Sequence, residues 1–293
     1  VVNLKMYGLS VREIVGRSAG PGLIERLAAA DLSVFAAPSD PPDLHGYVEM
    51  ALRGGFPEPA LRLASVARQA WLDAYVDQLV ARDAEGLDGF RDRVLLRRYF
   101  EALCLNTAGV AADRTIYSAA GFTRMTAAAY ERLLTDLFVF DTLPAWSSNR
   151  LSRLVKGPKR YMTDPALVAA ALRLDSRAVL RDGDMLGRMI DTFVLAQIRS
   201  EVEFSALRPR VYHLREKEGR HEVDIVAEIA GGDVIAIEIK ATAAPTAEHA
   251  KHLAWLRDRL GPQFRAGVAL HTRPRPFALG ERIFALPICS LWS

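Results

Sequence analysis

The stretch Val223-Asp224-Ile225-Val226-Ala227-Glu228-Ile229, followed by Ala230-Gly231-Gly232-Asp233 and then Val234-Ile235-Ala236-Ile237-Glu238-Ile239-Lys240, decides the reading of this chain. It predicts a β-hairpin, two strands rich in β-branched residues joined by a Gly-Gly turn. Side chains alternate faces along a strand. Ile235, Ile237 and Ile239 therefore share one face, and Ala236, Glu238 and Lys240 share the other. A glutamate and a lysine projecting together beside small apolar residues call for a partner. Asp224 falls at the end of the hairpin away from the turn, as Glu238 does.

Two carboxylates converging at that end would suit a hard divalent cation, Mg²⁺ or Mn²⁺, with the Ile239 carbonyl as a further oxygen. Water on such an ion loses a proton more easily and can attack a phosphate. Lys240 would orient that water or stabilise the charge that builds on the phosphate in the transition state. Asp224 and Glu238 are thus candidate metal ligands and, with Lys240, candidate catalytic residues. An exposed Glu238–Lys240 pair on an edge strand would satisfy the same pattern.

Working outward, Asp184 to Val202 predicts a long helix with an apolar stripe through Leu186, Met189, Ile190, Phe193 and Val194. Asp191 sits at the edge of the stripe, one turn after Gly187, a residue that would let the helix approach a sheet closely. Asp191 is therefore a candidate third acid, catalytic and metal-binding; it reads equally as a boundary aspartate. Around the hairpin, Val211–Leu214, Glu222–Ile229, Val234–Ile239, Ala266–His271 and Ile283–Leu286 are expected strands, with a helix over Thr246–Leu260. That order predicts an α/β unit around one mixed sheet.

Upstream, helical patterns dominate from about Leu44 to Leu174. Val94–Thr107, Arg114–Ala120 and Thr123–Leu134 read as three helices, and Leu137–Leu143 and Arg160–Thr163 as two strands. This is the order of a winged helix-turn-helix, whose third helix, carrying Arg124, would enter a DNA groove. A packed helical module without DNA contact has the same order. Between Thr142 and Thr163 the chain holds Arg150, Arg153, Lys156, Lys159 and Arg160 and no acidic residue. Such a segment can clamp phosphates, or it can be a solvated loop or pair with an acidic surface. At the start, Val1–Leu4 reads as a short strand, and Ser10 with Glu13 has capping-box spacing before a helix. Pro38 to Pro42 reads as a linker.

The whole chain has 293 residues, 50% hydrophobic and 25% charged, a soluble globular composition of about two domains. A net charge of +3 permits nucleic-acid binding without demanding it. Cys104 and Cys289, each in an apolar run, read as buried free thiols of a reducing compartment, so a cytoplasmic location is expected. No apolar run approaches the roughly 20 residues needed to span a bilayer, and no membrane partner is expected. The Gly-rich run Gly16 to Gly22 lacks the Gly-Lys-Ser/Thr ending of a phosphate loop, and no such loop occurs elsewhere. His249 and His252 share a helix face but have no evident partner set.

Several motifs in order resemble those of prokaryotic AAA-type ATP-binding proteins that carry a C-terminal domain of unknown function. They are Leu9-Ser10-Val11-Arg12-Glu13, Gly54-Gly55-Phe56-Pro57, the stretch Tyr75 to Asp83, Lys156-Gly157-Pro158-Lys159-Arg160-Tyr161-Met162-Thr163-Asp164, Leu186-Gly187-Arg188-Met189-Ile190-Asp191, Glu222-Val223-Asp224-Ile225-Val226 and Ile237-Glu238-Ile239-Lys240-Ala241. The resemblance runs over nearly the whole chain. It implies an α+β protein of two domains, a helical winged-helix-like region followed by an α/β domain of the restriction-endonuclease-like, PD-(D/E)XK type. Residues 1–40 would be the end of an ATPase domain and a linker, 41–175 the helical domain and 176–293 the nuclease-like domain. Both Walker motifs are absent, so ATP binding is not expected of this chain, and an ATPase domain is an expected partner. The family's helix acid is usually glutamate, and here it is Asp191. The resemblance implies a Mg²⁺-dependent nuclease-like domain acting on or binding DNA, with Asp224, Glu238, Lys240 and Asp191 at its centre. The alternative is a non-catalytic DNA- or protein-binding module that keeps the nuclease fold as scaffold.

Overall fold

A computed structural model of the chain describes residues 5–35, 40–82, 93–111, 113–153, 156–216, 219–243 and 245–293. The expected strand Val1–Leu4, the first part of the Pro38–Pro42 linker and Asp83 lie outside the described residues. In chain order the helices and strands are α1 (Val11–Ile14), α2 (Leu23–Ala28), α3 (Leu44–Arg53), α4 (Pro57–Arg62), α5 (Ser65–Arg82), α6 (Arg93–Leu105), α7 (Asp113–Ala120), α8 (Arg124–Asp136), β1 (Phe140–Leu143), α9 (Arg150–Arg153), β2 (Lys159–Met162), α10 (Pro165–Leu172), α11 (Ser176–Arg181), α12 (Gly183–Val202), β3 (Arg210–Arg215), β4 (Glu222–Glu228), β5 (Val234–Ile239), α13 (Lys251–Leu260), β6 (Phe264–His271), β7 (Phe277–Gly280) and β8 (Ile283–Pro287). The protein is thus mixed α+β, with a helical region ahead of a C-terminal mixed sheet.

The chain divides into two compact units that do not follow chain order. One gathers residues 1–47, 143–158 and 194–293, and the other residues 48–142 and 159–193.

In the first unit the sheet has the order β3-β4-β5-β6-β8-β7. The β3-β4 and β4-β5 pairs are antiparallel, β5-β6 and β6-β8 are parallel, and β7 pairs antiparallel with β8. The β4–β5 hairpin turns where expected, through Gly231 and Gly232 with φ of 90° and 86°, a region that residues with a Cβ rarely adopt. The parallel β5–β6 step is made by α13, which packs on β4, β5 and β6. Its Leu253 and Leu256 join Val223, Val226, Val234, Ala236, Phe264 and Ile283 in one apolar core. Every residue of β5 is buried, so the strand is covered on both faces. β7 was not expected, because its sequence Phe277-Ala278-Leu279-Gly280 is short and carries no β-branched residue.

The segment before residue 48 is built into this unit. The Val11 N–H donates to Gln197 Oε1 at 2.6 Å, and the Tyr47 hydroxyl accepts from the Cys289 N–H at 3.1 Å. α2 packs on β5 and β6 with Leu23, Ile24 and Leu27 buried. The predicted capping box is present: Ser10 Oγ accepts from the Glu13 N–H, and Glu13 accepts from the Ser10 N–H at 2.8 Å.

The second unit has the expected order of α6, α7 and α8 followed by β1 and β2, which form a two-stranded sheet. α8 starts at Thr123, whose hydroxyl caps the Thr126 N–H at 3.2 Å. α10 starts at the buried Asp164, which accepts from the Ala166 N–H at 2.8 Å and from the Gly55 N–H at 2.7 Å. Cys104 in this unit and Cys289 in the other are buried free thiols. No helix among the described residues is long and apolar enough to cross a membrane.

Candidate functional site

The hairpin register aligns the two carboxylates. Ile225 pairs with Ile237 and Val226 with Ala236, so one step further Asp224 stands opposite Glu238. On its other side β4 carries a bulge: Tyr212 pairs with Val226 and Leu214 with Val223, three steps of β4 against two of β3. Asp224 lies inside that bulge, a feature that re-aims side chains. Its Oδ2 accepts the Ile239 N–H at 2.9 Å, which draws the carboxylate across to β5. The Ile239 group that meets Asp224 is thus its N–H.

Glu238 follows Val234 and Ala236 along the face that packs under α13, and it is only 3% exposed. Its Oε2 lies 3.0 Å from Lys240 Nζ. Both sit at the carboxyl end of a parallel strand, where open α/β sheets commonly bind ligands. Burial opposes the Lys240 charge, but Glu238, Asp224 and Glu222 outweigh it and hold the ammonium above the ordinary lysine pKa. The strand pair therefore brings Asp224, Glu238 and Lys240 to one place, with the lysine protonated.

Asp191 is engaged elsewhere in its own unit. Its Oδ2 lies 2.6 Å from Lys159 Nζ, and its Oδ1 accepts the Tyr161 hydroxyl at 2.9 Å. Gly187 makes no close approach, since a Cβ there would meet nothing within 4 Å. Among the described residues no group of three or more His, Cys, Asp or Glu is placed to hold a metal ion. A site at Asp224 and Glu238 would rest on two carboxylates, which suits Mg²⁺: it binds through one or two and keeps several waters.

The expected basic surface is divided. Lys159 and Arg160 are buried, the first against Asp191 and the second donating to the Ala111 carbonyl at 2.8 Å. Arg153 is held at 2.6 Å by Glu228, which also accepts from Trp146 Nε1, and its guanidinium lies over the Trp146 and Tyr212 rings. The segment that carries Arg153 lies along the sheet edge, where Ala145 bridges to His213 in parallel and the Trp146 N–H donates to the His213 carbonyl. This is the pairing of a basic segment with an acid, one of the readings open in the sequence. Lys156 is half-buried and Arg124 is exposed at the start of α8. Arg150 begins α9, and its side chain lies outside the described residues.

His249 and His252, read as sharing a helix face, lie on successive elements. His249 Nδ1 accepts the Thr246 N–H at 2.9 Å in a short 3-10 turn ahead of α13. His252, in the first turn of α13, faces His221 with their Nδ1 atoms 3.4 Å apart. No local spacing could pair residues that sit on different elements.

Residues 44–178 match a domain of unknown function, DUF8612, and residues 186–291 match another, DUF4143. Two curated relatives, uncharacterized proteins of Mycobacterium bovis and Mycobacterium tuberculosis, are each 26% identical to the chain over 241 residues, 82% of this chain and 51% of theirs. The chain therefore spans about half the length of the curated relatives it matches. No solved structure matches it.

Proposed function

We propose that the sheet unit carries a Mg²⁺- or Mn²⁺-dependent, nuclease-like centre that acts on DNA, in a protein that works together with an ATPase domain. The observation that carries this reading is the alignment of Asp224 with Glu238 across β4 and β5, with Lys240 3.0 Å from Glu238. Two hard oxygen donors and one protonated amine are the groups that phosphodiester hydrolysis needs. The carboxylates would hold the ion, which supplies an activated water when bound. Lys240 would then turn from Glu238 toward the phosphate and stabilise its growing negative charge. Asp191 is held by Lys159 within its own unit. The ordered motifs of the sequence support the ATPase partnership, and the missing Walker motifs keep ATP binding off this chain.

The second reading is a DNA- or protein-binding module that keeps the fold as scaffold. The ion pair between Glu238 and Lys240 favours it, because each charge is already compensated. Arg124 and Lys156 would then provide the phosphate contacts, and loss of either would weaken DNA binding with a reduced salt dependence.

Cleavage of single- and double-stranded DNA with Mg²⁺ or Mn²⁺ separates the two. Metal-dependent cleavage lost in both Glu238→Gln and Lys240→Met supports the nuclease. No cleavage by the folded wild-type chain at any metal concentration leaves the binding module.

A further inference from the structure

Besides the carboxylate pair, the sheet unit holds a pair of histidines. His221 stands just before β4 and His252 in the first turn of α13, and their Nδ1 atoms are 3.4 Å apart. The His221 ring is stacked on Trp255, with centroids 4.0 Å apart and planes within 7°. It lies nearly perpendicular to the His252 ring, at 84°. One imidazole is thus held by a flat aromatic contact, and the other is carried on the first turn of α13.

The separation is long for a hydrogen bond to a ring nitrogen, which centres on about 2.9–3.0 Å. It does match another arrangement. Two imidazole nitrogens, each about 2.0–2.1 Å from a tetrahedral ion, are about 3.3 Å apart. We propose that His221 and His252 form a two-histidine site for a borderline transition-metal ion such as Zn²⁺ or Ni²⁺, bound through both Nδ1 atoms.

Imidazole nitrogen selects this class of ion over Mg²⁺, which takes oxygen ligands. Among the described residues no third His, Cys, Asp or Glu completes the set, so water fills the remaining positions. Lys251 and Lys240 place positive charge near His252, and Glu248 places negative charge there. Glu248 offsets part of the repulsion that Lys251 and Lys240 exert on an arriving cation. The site stands on its own geometry and does not depend on Asp224, Glu238 and Lys240 forming a nuclease.

The test is calorimetric titration of the tag-free, chelator-treated full chain with Zn²⁺ and with Ni²⁺ at pH 7.5, with histidine ring nitrogens followed by NMR. The expected result is one saturable ion whose binding shifts the His221 and His252 Nδ1 signals. His221→Phe keeps the stack on Trp255 and His252→Gln keeps the helix. Each should weaken binding by at least the roughly tenfold that even an outer-shell partner of a metal is worth. His249→Gln, outside the pair, should bind as the wild type does. Three results would overturn the proposal: no saturable binding by folded wild type, binding unchanged in His221→Phe and His252→Gln, or binding lost in His249→Gln while His221→Phe and His252→Gln retain it.

Discussion

Lys159 and Asp191 meet at 2.6 Å with both side chains largely withdrawn from water, and the Tyr161 hydroxyl completes the carboxylate. Each residue has a plausible role elsewhere in the sequence, one as a phosphate contact and one as a metal ligand. In the fold they neutralise each other. Lys159→Met removes the cation that lies 2.6 Å from the buried Asp191 carboxylate, and breaking such a pair costs about 3–5 kcal/mol. The double variant Lys159→Met/Asp191→Leu removes both charges and should recover most of that loss. Denaturant unfolding of the wild type, both single variants and the double variant measures the difference; equal losses in single and double variants would show that the pair is not coupled.

Gly54 explains the Gly54-Gly55-Phe56-Pro57 motif in physical terms. Its φ is +68°, and a Cβ there would lie 2.6 Å from both the Ala166 Cβ and Asp164 Oδ1. Asp164 cannot retreat without giving up the Gly55 and Ala166 N–H groups that it caps. Gly54→Ala combines a left-handed backbone with overpacking and should destabilise by about 2–4 kcal/mol. Gly187→Ala, at a helix position without positive φ where a Cβ meets nothing within 4 Å, is the control. Thermal melts of both variants check this, and a Gly54→Ala melt within a degree of wild type would refute it.

Glu201 predicts a fall in stability as pH rises. Burial raises its carboxyl from the ordinary 4.5 to about 7, with the Leu23 N–H, Arg12 and Arg26 opposing and Glu25 adding to the shift. The folded state then holds a proton that the unfolded state has released between pH 4.5 and 7. Stability is undiminished below that window and declines through it, by on the order of 2 kcal/mol after allowing for partial solvent screening. Glu201→Gln should flatten this limb of the stability–pH profile. An unchanged slope in the variant would show that another group is responsible.

Lys240 carries the same sign in a more alkaline range. Its folded pKa lies above the ordinary 10.5, because Glu238, Asp224 and Glu222 more than offset its burial. The stabilisation is complete below the unfolded value and is lost as pH climbs through the raised folded one. Glu238→Gln removes the largest of the favourable charges and should lower the Lys240 titration midpoint, read by NMR at the side-chain carbon next to the amine. A midpoint that stays in place would mean that Glu238 does not act on Lys240.

The hairpin was legible because its signals are local. Alternation sets Val234, Ala236 and Glu238 on one face, and a Gly-Gly pair permits the turn at Gly231 and Gly232. The same is true of the Ser10–Glu13 capping box and of the start of α8 at Thr123. The bulge that contains Asp224 was not legible, since it depends on how β3 pairs with β4. Nor was the engagement of Arg153, because the sequence shows a basic run without showing that Glu228 lies beside it.

Local sequence signals were enough for the β4–β5 hairpin, for α12 and for the face of β5 that carries Glu238 and Lys240. Strand periodicity and turn chemistry act over a few residues, so they can be read in order. Only the tertiary structure decided what each charge meets: Lys159 with Asp191, Arg153 with Glu228, Asp224 with the Ile239 N–H and His221 with His252. Electrostatic and hydrogen-bond partners are chosen by distance in space, and burial raises the cost of leaving any of them unmatched. The path of the chain through the core sets those distances.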